Sequence, residues 1–182
     1  ASKAPRLKRL IVGGGGPRDP KLAQEGLDII GKGAFRLTHL LMGEQDLKGA
    51  KAGKTLATAP AFAELQALDL SQNPLTDAFF PALLARSHPA LRFLRLHSVK
   101  MGDAGLKTLA ATPNLPALES LDISSDSRRD LGGSIAALTA GRFSRLMRLD
   151  VRGLCATAES VIGLFEGSGL RSEEHTSELQ SL

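Results

Sequence analysis

The chain has 182 residues, 42% of them hydrophobic, and a formal net charge of +4. No apolar run approaches the length of a membrane span, and the single cysteine, Cys155, excludes an internal disulfide and favours a reducing compartment such as the cytoplasm. Its aromatic residues are seven Phe with no Trp or Tyr, a poor composition for stacking on single-stranded nucleic acid.

In chain order, the first predicted strand is Leu7-Lys8-Arg9-Leu10-Ile11-Val12, which reads apolar-x-x-apolar-x-apolar. Gly13, Gly14, Gly15 and Gly16 follow it as a turn, and a helix is expected over 20–30. The same six-residue pattern returns at 37–42, 65–70, 91–96, 118–123 and 146–151. Successive starts lie 30, 28, 26, 27 and 28 residues apart, and a fixed period of this length marks a repeat architecture. Helical patterning is expected over 50–57, 77–86, 104–111, 134–139 and 158–166. Asp103 is placed to cap the helix over 104–111. In the fifth period, Ser124-Ser125-Asp126-Ser127-Arg128-Arg129 carries no apolar residue where the other periods have one, so a longer surface loop is expected.

Within each copy the fourth and sixth residues, such as Leu68 and Leu70, point to one side of a strand of period two and enter a core. One such unit cannot bury its own apolar face, so neighbouring units must stack on it.

The fullest copy, Leu65-Gln66-Ala67-Leu68-Asp69-Leu70-Ser71-Gln72-Asn73-Pro74-Leu75, resembles the leucine-rich repeat, whose pattern is L-x-x-L-x-L-x-x-N-x-L. The resemblance extends over about residues 7–165, with six copies in phase. A strand plus a full helix in about 28 residues is similar to the ribonuclease-inhibitor type. It implies an α/β solenoid of about six repeats, with parallel strands on a concave face and helices on a convex one. In that family the Asn binds backbone groups in the turn after the strand. Only Asn73 is Asn here; its counterparts are Gly15, Gln45, Val99, Asp126 and Leu154, so less uniform turns are expected.

The strand residues that alternate with the core positions would form columns. These are Arg9, His39, Ala67, Phe93, Ser120 and Arg148; then Ile11, Leu41, Asp69, Arg95, Asp122 and Asp150; then Gly13, Gly43, Ser71, His97, Ser124 and Arg152. Neighbouring strands lie about 4.8 Å apart, so the columns make one patch. Its early part is apolar and small, and its later part is charged. Phe93, Arg95, His97, Asp122, Arg148, Asp150 and Arg152 are the candidate partner-binding residues, with Phe93 as anchor, because aromatics and Arg dominate interface energetics.

Other chemistry was weighed against this surface. Gly53-Lys54-Thr55 matches the end of a phosphate-binding loop, but the motif needs Gly at position 48, which is Lys48; the stretch reads instead as the turn into the second helix. The glycines after the first segment fail the dinucleotide fingerprint, because the third Gly would fall on Arg18 or Asp19. His39 and His97 are two strands apart, too far to share a metal. Asp122 and Asp150 are neighbours that would share a proton as a carboxylate dyad unless Arg95, Arg148 and Arg152 neutralise them, and neutralisation is the expectation. Cys155 has no His partner and reads as a packing residue. Arg142, Arg145, Arg148 and Arg152, with Arg128 and Arg129 one period earlier, form the densest basic stretch.

The last twelve residues, 171–182, match residue by residue one reading frame of a widely used short-read sequencing adapter, and are read as a foreign tail. They hold one Arg and three Glu, which leaves +6 for the remainder and mildly favours acidic partners. The chain lacks an initiator Met and shows no polar capping repeat, so residues 1–170 are read as a fragment of a repeat domain. The expected function is a non-catalytic protein-interaction scaffold, with no cofactor, metal, membrane or small-molecule substrate. Two alternatives stand beside it. One, implied by the resemblance, is a regulatory segment of a larger signalling protein, of the GTPase-activating or receptor-sensor kind. The other is weak binding of nucleic acid or an acidic partner through the Arg cluster.

Overall fold

The computed structural model describes residues 6–13, 21–127, 131–139 and 143–154. The six predicted segments become six three-residue strands: β1 (Arg9–Ile11), β2 (His39–Leu41), β3 (Ala67–Asp69), β4 (Phe93–Arg95), β5 (Ser120–Asp122) and β6 (Arg148–Asp150). They form one parallel sheet in chain order. The register is constant, so Leu10, Leu40, Leu68, Leu94, Leu121 and Leu149 lie side by side. Beyond the strands, the N–H groups of Met42, Leu70, Leu96 and Ile123 donate to the carbonyls of Asp69, Arg95, Asp122 and Asp150 at 2.8, 2.9, 2.7 and 3.0 Å.

Helices connect successive strands: α1 (Ala23–Gly31), α2 (Gly49–Thr58), α3 (Phe79–Leu83), α4 (Asp103–Ala111) and α5 (Gly132–Thr139). Each packs on the next. Leu40, Leu68, Leu94 and Leu121 from the strands share one buried cluster with Leu27, Leu56, Phe80, Leu106 and Ile135 from the helices. The fold is therefore α/β, with the core on one face of the sheet and alternate strand residues on the other. Burying each such Leu contributes about 1.5–3 kcal/mol. In the outermost strands Leu10 and Leu149 are only half-buried, because each has a neighbouring strand on one side among the described residues. No described helix is long and apolar enough to cross a membrane.

The turn after the strand is where Asn73 acts. Its buried amide donates to the carbonyls of Met42, Leu70 and Ser71, and its Oδ1 accepts from the N–H groups of Gln45 and Leu47, both at 3.0 Å. Five backbone groups from two adjacent periods thus converge on one side chain. Gln45, one period earlier, is also buried; its Oε1 accepts from Leu22 N–H and its Nε2 donates to Gly43 O. Val99 and Leu154 are buried apolar residues at the same place, whereas Asp126 points to solvent. The turns are not uniform in chemistry, yet they share a backbone. Glu44, Gln72, Ser98 and Gly153, each seven residues past the start of its copy, all have positive φ (58°, 57°, 53° and 78°).

Several local expectations need correction. Asp103 is the first residue of α4 rather than its cap. The Gly102 N–H at that end is bound by Asp77 Oδ1 at 2.6 Å, a carboxylate from the preceding period, while Asp103 accepts from Ser134. The third helix is five residues long rather than spanning 77–86. Pro81 sets its start: proline tolerates the first turn, where its missing N–H is not needed. Gly53 lies inside α2, not at a turn, and faces α3 so closely that a Cβ there would sit 2.5 Å from Phe79 O and 2.8 Å from Leu83 N. In the fifth period the apolar place expected at Arg128 is taken by Leu131, buried and bonded through its N–H to Leu154 O at 3.0 Å. Leu131 stands three positions further along the sequence, in keeping with the longer connection expected there; residues 128–130 lie outside the described residues. The expected helix over 158–166, Gly14 to Gly16, Cys155 and the tail over 171–182 lie outside the described residues.

Candidate functional site

The constant register builds the predicted columns. Arg9, His39, Ala67, Phe93, Ser120 and Arg148 are lateral partners, as are Ile11, Leu41, Asp69, Arg95, Asp122 and Asp150. All of these except Ile11, together with Arg152, border an open groove of about 420 Å³ across the sheet face opposite the core. Six of the seven residues singled out from the sequence line this groove: Phe93, Arg95, Asp122, Arg148, Asp150 and Arg152.

His97 is set apart from it. Its Nδ1 lies 2.8 Å from Ser124 Oγ, and its Nε2 lies 3.2 Å from Asp126 Oδ2. Ser124 is itself buried, so the third column sinks into the turn at this place, whereas Arg152 at its end stays exposed on the groove.

The aspartates of the middle column share one local structure. Asp69 Oδ1 accepts from Ser71 N–H and Oγ at 2.9 and 2.6 Å; Asp122 Oδ1 accepts from Ser124 N–H and Oγ at 3.0 and 2.5 Å. Asp150 Oδ1 accepts from Arg152 N–H at 3.2 Å. Each carboxylate therefore closes the turn two residues on, as Asx side chains do. The same carboxylates also meet guanidinium groups. Arg95 bridges Asp69 at 3.7 Å and Asp122 at 3.1 Å, and Arg152 grips Asp150 through Nε and Nη2 at 2.9 and 2.8 Å. That grip holds the Asp150 carboxyl below the ordinary aspartate range. Because each carboxylate closes its own turn and is paired with its own arginine, the two are built as neutralised turn carboxylates rather than as a proton-sharing dyad. Among the described residues no group of three His, Cys, Asp or Glu side chains is placed to hold a metal, and β3 lies between His39 and the strand that leads to His97.

Phe93 is 46% exposed, the largest apolar side chain in the groove. Its neighbours in the column, Ala67 and Ser120, are small, so the ring stands between two dips. Arg92 lies over the ring, 5.6 Å from its centroid, and is itself clamped by Glu119 through two bonds of 2.8 and 2.7 Å. The sequence reading missed this clamp, although the signal was present: Arg92 and Glu119 are opposite charges at the same place in consecutive copies. The groove also takes in Arg9, His39, Leu41, Ala67, Asp69 and Ser120, which the columns contained but the candidate set left out. Of the basic stretch, Arg145 is exposed beside Glu119, while Arg128, Arg129 and Arg142 lie outside the described residues. No protein-family model matches the chain, and no curated protein matches its sequence.

Proposed function

We propose that the chain is a leucine-rich-repeat solenoid, similar to the ribonuclease-inhibitor type, that binds a protein partner on its open sheet face without catalysis. The observation that carries this reading is the unbroken register of six parallel strands, which lines up one core leucine and two outward residues per period. The backbone-binding role of Asn73 supports the family resemblance. Spacing supports the curvature: strands sit about 4.8 Å apart, helices about 8–10 Å. A stack with those two spacings bends with the strands on its inner wall.

Recognition then rests on shape and charge on a rigid frame. Phe93 is the anchor, and Arg95, Asp122, Arg148, Asp150 and Arg152 surround it as polar contacts. His97 acts behind them by tying its turn to Asp126 and Ser124. Quantitative capture from lysate with immobilised chain tests the assignment of the face. Phe93→Ala and Arg95→Glu lower capture of a common set of proteins about tenfold while melting unchanged. Ile29→Ala, an exposed position on α1, leaves capture intact. Equal capture by all three variants would remove this face from the function.

A further inference from the structure

The charges of the groove are unequally satisfied. Its three aspartates, Asp69, Asp122 and Asp150, each accept turn hydrogen bonds and each pair with an arginine. Arg95 and Arg152 are the arginines so used. Arg9 on β1 and Arg148 on β6 line the same groove, and neither forms an ion pair with any described residue. Among the described residues the surplus charge of the groove is therefore positive and lies on its two outer strands, and Arg148 is the arginine of the two that stands near Phe93. Two strands away in the same column stands the exposed ring of Phe93, with the small Ser120 as the dip between them. Two strand spacings separate the two backbones by about 10 Å.

Resting on the protein-binding reading above, we propose that the partner is an acidic peptide segment that crosses the strands. It seats an apolar side chain against Phe93 over Ser120 and brings a carboxylate to Arg148. Side chains on one face of an extended chain recur every second residue, about 6.6 Å apart, which spans the step from the Ser120 dip to the Arg148 side chain one strand on. The recognised motif is an apolar residue followed or preceded two positions away by Asp or Glu. Arginine suits this role because its planar fork takes a carboxylate through two bonds.

The test is selection of random twelve-residue peptides displayed on phage against the full chain, followed by affinity measurement of the enriched peptides on Phe93→Ala and Arg148→Glu. Both substitutions are on the open face, and thermal melts confirm that each variant is folded. The expected result is enrichment of peptides with an acidic residue two positions from an apolar one, each binding about tenfold more weakly to either variant. Peptides that depend on Phe93 but bind Arg148→Glu equally well would overturn the acidic motif and leave the binding face standing. Peptides indifferent to both substitutions, or no enrichment at all, would overturn the motif and the face together.

Discussion

At the scale of single residues, the turns after the strands carry more of the structure than their composition suggests. Asn73 satisfies five backbone groups from two periods. Replacing it with Ala leaves those buried groups unpaired, at about 1–3 kcal/mol for each that water cannot reach. Asn73→Ala should lower stability by at least about 2 kcal/mol in urea unfolding; a change below about 0.5 kcal/mol would show that the turn does not depend on it. The place of Asn73 was legible in the sequence because its residue type has one recurrent use. The left-handed backbone of Glu44, Gln72 and Ser98 was not. Only Gly153 announces such a conformation, since L side chains rarely adopt it. The other three accept it because the N–H of each of these residues bonds to the next period, to Ser71, His97 and Ser124 carbonyls.

At the scale of elements, strand positions follow from the six-residue pattern alone, and helix ends do not. The strand pattern is dictated by a buried face of period two, a long-range constraint repeated six times. The ends of α3 and α4 depend on Pro81 and on Asp77, whose carboxylate serves a helix one period later. A cap supplied from another element leaves no local spacing to read. Gly53 likewise acts between elements, by letting α2 approach α3. Gly53→Ala should cost about 1–3 kcal/mol by overpacking, with no effect of added nucleotide on melting. Unchanged stability would mean that the two helices are not in close contact. The same inter-element logic governs acid sensitivity. Asp28 is held low by hydrogen bonds from Thr55 and Gln24, then by Lys51; Glu119 by Arg92; and Asp150 by Arg152. Carboxyls lowered on folding favour the folded state above their unfolded values, about 3.9–4.3, and lose that contribution as pH falls through their folded values. The melting temperature should therefore be flat above about pH 5 and fall on acidification below about pH 4, less steeply in Arg152→Gln. A melting temperature that rises from pH 5 to pH 3 would contradict these pairings.

At the scale of the whole molecule, stability is shared between neighbours. Leu94 is surrounded in an interior strand, whereas Leu10 in the first strand is only half-buried. Leu94→Ala should destabilise by about 2–5 kcal/mol and Leu10→Ala by clearly less, measured by denaturant midpoint. The open face was legible in outline, because alternation and period together define the columns. Its electrostatics were not. Spacing alone cannot say that Asp69, Asp122 and Asp150 turn back onto their own loops, that His97 turns away, or that Arg148 is left without a carboxylate among the described residues. All of these depend on side-chain geometry across strands.

Distance measurement by double electron–electron resonance tests the central arrangement most directly. Cys155, the one native cysteine, is replaced by Ser, and spin labels are placed at Arg9 and, in turn, at Phe93, Ser120 and Arg148. These positions are lateral partners of one column, on successive strands counted from the first. The backbone separations should rise stepwise, near 14, 19 and 24 Å for three, four and five strand spacings of about 4.8 Å. Separations that fail to increase in that order would contradict a single sheet laid down in chain order, and with it the shared face on which the proposed binding depends.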